Sequence, residues 1–220
     1  MSRRIVIINP NSTEAVTQGI SAAVDPLRSA DGPKIDCVTL EEGPPGIETA
    51  EHIRDVVPPL LARLRHEDAE VSVIACFSDP GLKAAREQSA KPVFGIGESA
   101  FNQALGVGRR FGIVAILEAS TIRHRRYVAE LGLAGSFAES RPLDLGVLEL
   151  QDRDRTFGRM LEVGRKLRDS DGADVLVLGC AGMTGYPAEL SAALGLPVIE
   201  PCQAAATEAL AALAADPVTP

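Results

Sequence analysis

Short apolar runs alternate with amphipathic stretches along the whole chain. Residues 4–9 (RIVIIN) are β-branched and nearly all apolar, the pattern of a strand buried on both faces. Residues 34–40, 71–75 and 92–96 read as three further strands, with helical periodicity between them. Asn11, with Glu14 three residues on, has the form of a capping box that opens a helix to about Val24. A helical stretch covers residues 48–65, and Pro58-Pro59 predict a kink or interruption in it. Asp79-Pro80 reads as the N-cap and first residue of a helix to Gln88, and residues 99–105 form the helix after the fourth strand.

The pattern then restarts. Residues 111–117 are a strand and 120–131 a helix of mixed charge; residues 136–150 hold a strand with irregular flanks, and 154–168 are an amphipathic helix. Strands at 175–179 and 196–199 are each followed by a helix, and the closing DPVTP reads as a frayed tail. Strands alternating with helices predict parallel sheets with right-handed crossovers. The expected fold is α/β: two pseudo-symmetric lobes, each a four-stranded parallel sheet flanked by helices, with the active site between them. Residues 1–97 with 202–220 are expected to form the N-terminal lobe, and 98–201 the C-terminal lobe.

The two halves also match residue by residue. An offset of 104 carries Cys76 onto Cys180, and an offset of 105 carries Pro92, Val93, Ala100, Ala104 and Leu105 onto Pro197, Val198, Ala205, Ala209 and Leu210. Each cysteine stands where an apolar strand run gives way to a turn, the rim on which open α/β sheets place ligands. Halves that face each other would bring two thiols to one cleft from opposite sides. That layout suits removal of a proton from one face of a carbon and its return to the other.

Composition narrows the function classes. At 220 residues, 45% hydrophobic and 24% charged, the chain can bury a full core. A net charge of −8, with no basic stripe interleaved with aromatics, argues against nucleic acid and anionic membrane surfaces as partners. The N-terminal apolar run ends at Asn9, too soon for a signal peptide, and no run approaches the length of a membrane span. The chain reads as cytoplasmic, with its cysteines reduced. Cys37, Cys76, Cys180 and Cys202 form no CxxC, and His52, His66 and His124 lie outside the strand-end turns, so no metal site is expected. Cys37, in a strand, and Cys202, opening the last helix, read as structural.

Three turns converge on the expected cleft: Asn9 to Thr13, Cys76 to Asp79, and Cys180 to Thr184. They hold small hydroxyls, amides and glycines and no Lys or Arg. Turn N–H groups close to helix N-termini hold a developing oxyanion without a formal cation, and they are expected to draw a thiol pKa toward neutrality. Cys76 and Cys180 are the catalytic candidates. Asn11, Ser12, Phe77, Ser78, Ala181 and Gly182 are the substrate-binding candidates; Asn11 and Ser12 could equally be plain capping residues.

The blocks IINPNST, ACFSDPGLKAARE, PVFGIGESA and VLGCAGM followed by PVIEP run in order across nearly the whole chain. Together they resemble the aspartate/glutamate/hydantoin racemase superfamily, and within it the hydantoin and allantoin racemases. The resemblance implies a cofactor-independent racemase with paired cysteines at Cys76 and Cys180, a small-molecule substrate and a homo-oligomer. Two departures stand out: Ser78 replaces the Gly more common in CFGDPG, and Ile116-Leu117-Glu118 replaces a Thr pair. The three turns lack the basic residues that amino-acid racemases of the superfamily add for a dicarboxylate, so a hydantoin-type ring, that of a 5-monosubstituted hydantoin or of allantoin, suits them better. Arylmalonate decarboxylase-like enzymes keep only the second cysteine. Maleate isomerase-like chemistry, with one thiolate as nucleophile, an amino-acid (aspartate/glutamate) racemase, and a non-enzymatic small-molecule binding protein are the alternatives.

Overall fold

The computed structural model describes residues 3–215; the predicted frayed tail lies outside the described residues. Among the described residues eight strands form two sheets, flanked by eight α-helices. β1 (Arg4–Asn9), β2 (Lys34–Thr39), β3 (Val71–Ile74) and β4 (Val93–Gly95) lie in the order β2-β1-β3-β4, all parallel. β5 (Phe111–Ala115), β6 (Phe137–Pro142), β7 (Val175–Leu178) and β8 (Val198–Ile199) repeat that order as β6-β5-β7-β8, again all parallel. Eight α-helices connect and cover them: α1 (Glu14–Val24), α2 (Ala50–His66), α3 (Leu82–Gln88), α4 (Ile96–Val107), α5 (Glu118–Glu130), α6 (Arg153–Asp169), α7 (Pro187–Leu194) and α8 (Pro201–Ala215).

Strand side chains sort by the period of two. Ile5 and Ile7 face the core that runs between the lobes, while Val6 and Ile8 face the layer under α2 and α3. In β7, Leu176 and Leu178 join the same apolar cluster as Ile5 and Ile7, with the α6 and α7 residues Met160, Val163, Leu190 and Leu194, and Val175 and Val177 pack with Phe101 and Phe111 on the other face. Burial of each such side chain contributes about 1.5–3 kcal/mol, so slipping a central strand by one residue would invert two layers at once. Two helices cross over. α8, the last element described, packs on β1, β3 and β4, while α4 lies against β5, β7 and β8.

Three local expectations differ from the structure. α2 runs unbroken through Pro58 and Pro59. The carbonyls these prolines cannot bond belong to Arg54 and Asp55, which are exposed, so water can satisfy them. α1 is capped from Thr13, not Asn11; the Asn11 Oδ1 accepts from the Thr13 N–H at 2.9 Å, and Glu14 accepts instead from the Thr39 hydroxyl. Asp79 does not cap α3, which starts after Gly81 in the left-handed region. Its carboxylate reaches α4, accepting from the Gly97 and Glu98 N–H groups at 3.0 and 2.8 Å. That cap lets α4 begin at Ile96, ahead of the expected Ser99.

Candidate active site

The two cysteine turns share one hydrogen-bond plan. Just past β3, the Ala75 N–H donates to the Ile8 carbonyl at 2.8 Å; just past β7, the Gly179 N–H donates to the Val114 carbonyl at 2.8 Å. The next residue in each case is the cysteine. Its carbonyl then accepts from the residue three further on, Asp79 onto Cys76 at 2.9 Å and Met183 onto Cys180 at 3.1 Å. Each sulfur accepts a backbone N–H from two residues ahead: Ser78 for Cys76, and Gly182 for Cys180 at 3.3 Å. Both thiols are thus turned back over their own turns.

Cys76 and Cys180 line one cavity, with about 450 Å³ of empty space when its open mouth is included. Asn11, Phe77, Ser78, Ala181 and Gly182 line it with them. Ile47 and Val147 close it from the two lobes, and the Val147 N–H donates to the Glu48 carboxylate at 2.8 Å across that seam. Ser12 is the expected binding residue that does not line this cavity. Its N–H donates to the Pro44 carbonyl at 3.0 Å, and its neighbour Thr13 donates its hydroxyl to Pro45, so this turn is pinned to the proline loop. Asn11 is buried and held by Asn9, whose amide donates to the Asn11 Oδ1 at 3.0 Å and to the Thr17 hydroxyl at 3.0 Å.

The thiol pKa values run against the expectation from the turns. Burial pushes Cys76 up to about 12, with the Ser78 N–H pulling the other way and Cys180 adding to the rise. Burial likewise pushes Cys180 up to about 11, against the Gly182 N–H, and Glu48 raises it further. Desolvation of the thiolate outweighs the dipoles because the cavity is narrow and walled by apolar side chains. At neutral pH both cysteines rest as thiols. Cys37 and Cys202 lie away from the cavity: Cys37 packs beside Arg28, and Cys202, in the first turn of α8, is fully buried, its thiol also raised by burial.

Helix α5 brings three side chains that the turns did not announce: Ser120, Arg123 and His124. His124 is buried, its Nδ1 lies 2.9 Å from the Ser140 hydroxyl, and its ring meets Phe77 edge-on at 5.0 Å. Burial, then Arg123 and Arg125, push it down to about 3, so the imidazole stays neutral. Arg123 gives the cavity the cation that the three turns lack. One Nη donates to the Ser120 hydroxyl at 2.9 Å, while its Nε is buried with no acceptor. A buried donor left unpaired costs about 1–3 kcal/mol. The available signal was helical spacing: Ser120, Arg123 and Tyr127 share one face of the helix that follows β5.

Asp79 ties this machinery together. Besides capping α4 it accepts the Tyr127 hydroxyl at 2.7 Å, joining the Cys76 turn to α5 of the other lobe. Its φ of 44° lies in the left-handed region, which a non-glycine residue occupies only when its surroundings hold it there. Burial pushes its carboxyl up to about 7 in spite of the Gly97, Tyr127 and Glu98 hydrogen bonds. Among the described residues no three His, Cys, Asp or Glu side chains converge as a metal site, and no helix is long and apolar enough to cross a membrane.

Known proteins share this architecture and are similar to this chain in sequence. The family model described as Asp/Glu/Hydantoin racemase matches residues 5–209. A hydantoin racemase of Paenarthrobacter aurescens is 34% identical over 217 residues, covering 96% of this chain and 92% of that one. A hydantoin racemase of Rhizobium meliloti is 35% identical over 216 residues, covering 96% and 89%. Among solved structures, an allantoin racemase from Klebsiella pneumoniae superposes with a TM-score of 0.92 at 33% identity, covering 97% of this chain and 89% of that one. A match of this extent, over both sheets and both cysteine turns, makes the chain a member of the Asp/Glu/hydantoin racemase family of isomerases.

Proposed function

We propose that the protein racemises 5-monosubstituted hydantoins, allantoin included in that class, by proton transfer at C5 between Cys76 and Cys180. The observation that carries this reading is the pair of thiols on equivalent strand-end turns of opposite lobes, facing one cavity. The similarity to hydantoin and allantoin racemases supports the ring as substrate. One sulfur, as thiolate, takes the C5 proton and becomes a thiol. The electron pair left on C5 passes into the adjacent carbonyl, so the ring itself holds the charge and neither pyridoxal nor metal is needed for it. Turn N–H groups near Phe77–Ser78 and Ala181–Gly182 turn to the enolate oxygen at this stage, when both sulfurs are neutral thiols and the charge lies on the ring. The opposite thiol then gives its proton to the other face of C5 and becomes the thiolate. Exchange with water restores the starting state.

The raised thiol pKa values fit this division of labour. At pH 7 a thiol with a pKa near 11 is ionised on the order of once in ten thousand molecules, but the thiolate so formed is a stronger base than an ordinary cysteine. The N–H groups of Ser78 and Gly182 steady whichever sulfur is charged. Asn11 and Phe77 shape the walls around the ring.

Turnover of a single hydantoin enantiomer in D2O tests the reading. Thiols exchange with solvent, so the inverted product should carry deuterium at C5 while the remaining substrate stays mostly unlabelled at early times. Inversion without deuterium in the product, or a substrate–cysteine adduct on the turnover path, would defeat it; the adduct would point to maleate-type nucleophilic chemistry.

A further inference from the structure

Arg123 stands out because its charge is unanswered. Arg125 pairs with Glu139 at 2.9 Å and Arg126 with Glu130 at 2.7 Å, on the same helix. Arg123 has no carboxylate within ion-pairing distance, although the chain carries 30 acidic residues against 22 basic ones. Its buried Nε has no acceptor at all. Nearby ionisable groups are accounted for elsewhere. Glu118 accepts from the Thr121 hydroxyl, and Asp79 is engaged by α4 and Tyr127.

Its position is as informative as its charge. Arg123, Ser78 and His124 line the cysteine cavity and also a second groove of about 670 Å³ of empty space, bounded by Ala50 and Ile53 of α2 and by Tyr127 of α5. The guanidinium therefore stands where the reaction chamber opens into a wider channel. Another groove leaves the chamber past Val16, Val147 and Gly182, but its arginine is already satisfied: Arg153 pairs with Glu189 at 2.7 Å and lies over the Tyr186 ring at 5.1 Å. Of the two exits, the one past Arg123 offers an unpaired cation beside the apolar Ala50 and Ile53, and the Arg126 and Glu130 that also line it are paired with each other at 2.7 Å.

We infer that Arg123 is the specificity-determining residue of this site, and that the C5 substituent it selects is an apolar spacer ending in a carboxylate. The inference rests on the hydantoin reading above and names the substrate class within it. A ring set between the two thiols must send its C5 substituent out of the chamber. A carboxylate two or three bonds along would meet the Nε–H and a remaining Nη–H as a fork, the geometry in which guanidinium and carboxylate bind best. The Ser120 hydroxyl holds the guanidinium in place for it.

The test uses the purified protein and single enantiomers of three hydantoins: 5-(2-carboxyethyl), its uncharged carbamoylethyl isostere and 5-isobutyl. The wild type should favour the carboxylate over the amide in kcat/KM by tenfold or more. Arg123→Gln should lower kcat/KM for the carboxylate about 30-fold or more beyond any loss on the amide, mainly through KM, the range for removing one partner of a desolvated charge pair. Arg123→Lys should recover part of that difference. Equal activity of the wild type on charged and neutral hydantoins would overturn the inference and leave the racemase reading intact. A loss of kcat shared equally by all three substrates, with an upward shift of the pH profile, would also overturn it by assigning Arg123 to the Cys76 thiolate. Turnover of allantoin but of none of the three would overturn this inference alone, and turnover of none of the four would sink the hydantoin reading with it.

Discussion

In the first lobe, the opening N–H groups of α4, Gly97 and Glu98, are held by Asp79, a member of the Cys76 turn. In the second lobe the equivalent N–H groups of α8, Cys202 and Gln203, are held at 3.1 and 2.7 Å by Glu200, which precedes the helix and lies outside the Cys180 turn. The repeat that places Cys202 on Gly97 places Glu200 on Gly95. A side chain at Gly95 would set its Cβ 2.3 Å from the Asp79 Cγ, so the glycine is the space the Asp79 carboxylate fills. The same helix end is thus capped in two ways. Only the first couples the cap to a cysteine turn of the cavity, and through Tyr127 to the opposite lobe. The Cys76 turn is fixed by a strained, titratable residue, and the Cys180 turn by its own backbone.

The sharpest way to break the comparison is to remove the thiols one at a time. Cys76→Ser and Cys180→Ser should each lower racemisation by about a hundred- to ten-thousand-fold, the usual loss for a general acid or base, because each enantiomer needs both sulfurs. Cys37→Ser and Cys202→Ser should leave it largely intact. Full activity in either of the first pair, followed by polarimetry, would show that the two turns are not equivalent in function.

The unequal caps predict a smaller and more selective effect. Gly95→Ala drives a methyl into Asp79 and should destabilise the fold by about 1–3 kcal/mol in a denaturant titration, the usual range for overpacking, while also reducing turnover. Glu200→Gln should lower stability without a matching fall in the rate measured on folded protein. A rate loss confined to Glu200→Gln would invert the comparison.

The smallest effect is a slope. The Asp79 carboxyl is raised to about 7 from an ordinary value near 3.8, so between those values the folded protein holds a proton that the unfolded chain has released. Stability from this group is present at low pH and is lost as pH rises toward 7. His124, pushed down to about 3, tilts stability the opposite way up to its ordinary 6.5, and Glu200, raised by burial, tilts it the same way as Asp79. The informative quantity is therefore the difference between proteins. Asp79→Asn should become progressively more stable relative to the wild type as pH rises from 4 to 7; a constant difference would show that Asp79 is ionised throughout.

How much of this could be read from the sequence follows from the range of each interaction. RIVIIN and VLVL announce strands because parallel strands covered on both sides must be apolar without alternation. The cysteine turns were legible because the halves repeat, and a repeat reports tertiary equivalence from primary structure. The Asp79 contact with α4 and Tyr127 was not, since a favourable local cap at Asp79-Pro80 concealed a partner across the fold. Arg123 and His124 enter from a helix whose mixed charges resemble a solvated face. The direction of the thiol shift depends on how tightly the lobes close, and the turns alone carry no measure of that. Pro58 and Pro59 misled for a related reason: the helix face on which their lost bonds fall decides whether they break it.

The exchange of covering helices has a consequence for synthesis. The first sheet is complete once Gly95 has been made, yet α8, the helix that covers one of its faces, starts only at Pro201. At 5–20 residues per second the intervening hundred or so residues take about 5–20 s to translate. Through that interval Ile5, Ile7 and Val73 lack part of the apolar cover they have in the finished protein. The N-terminal lobe is the first to be made and among the last to be closed, so a chain arrested before α8 should be a client for chaperones and not half of a working enzyme.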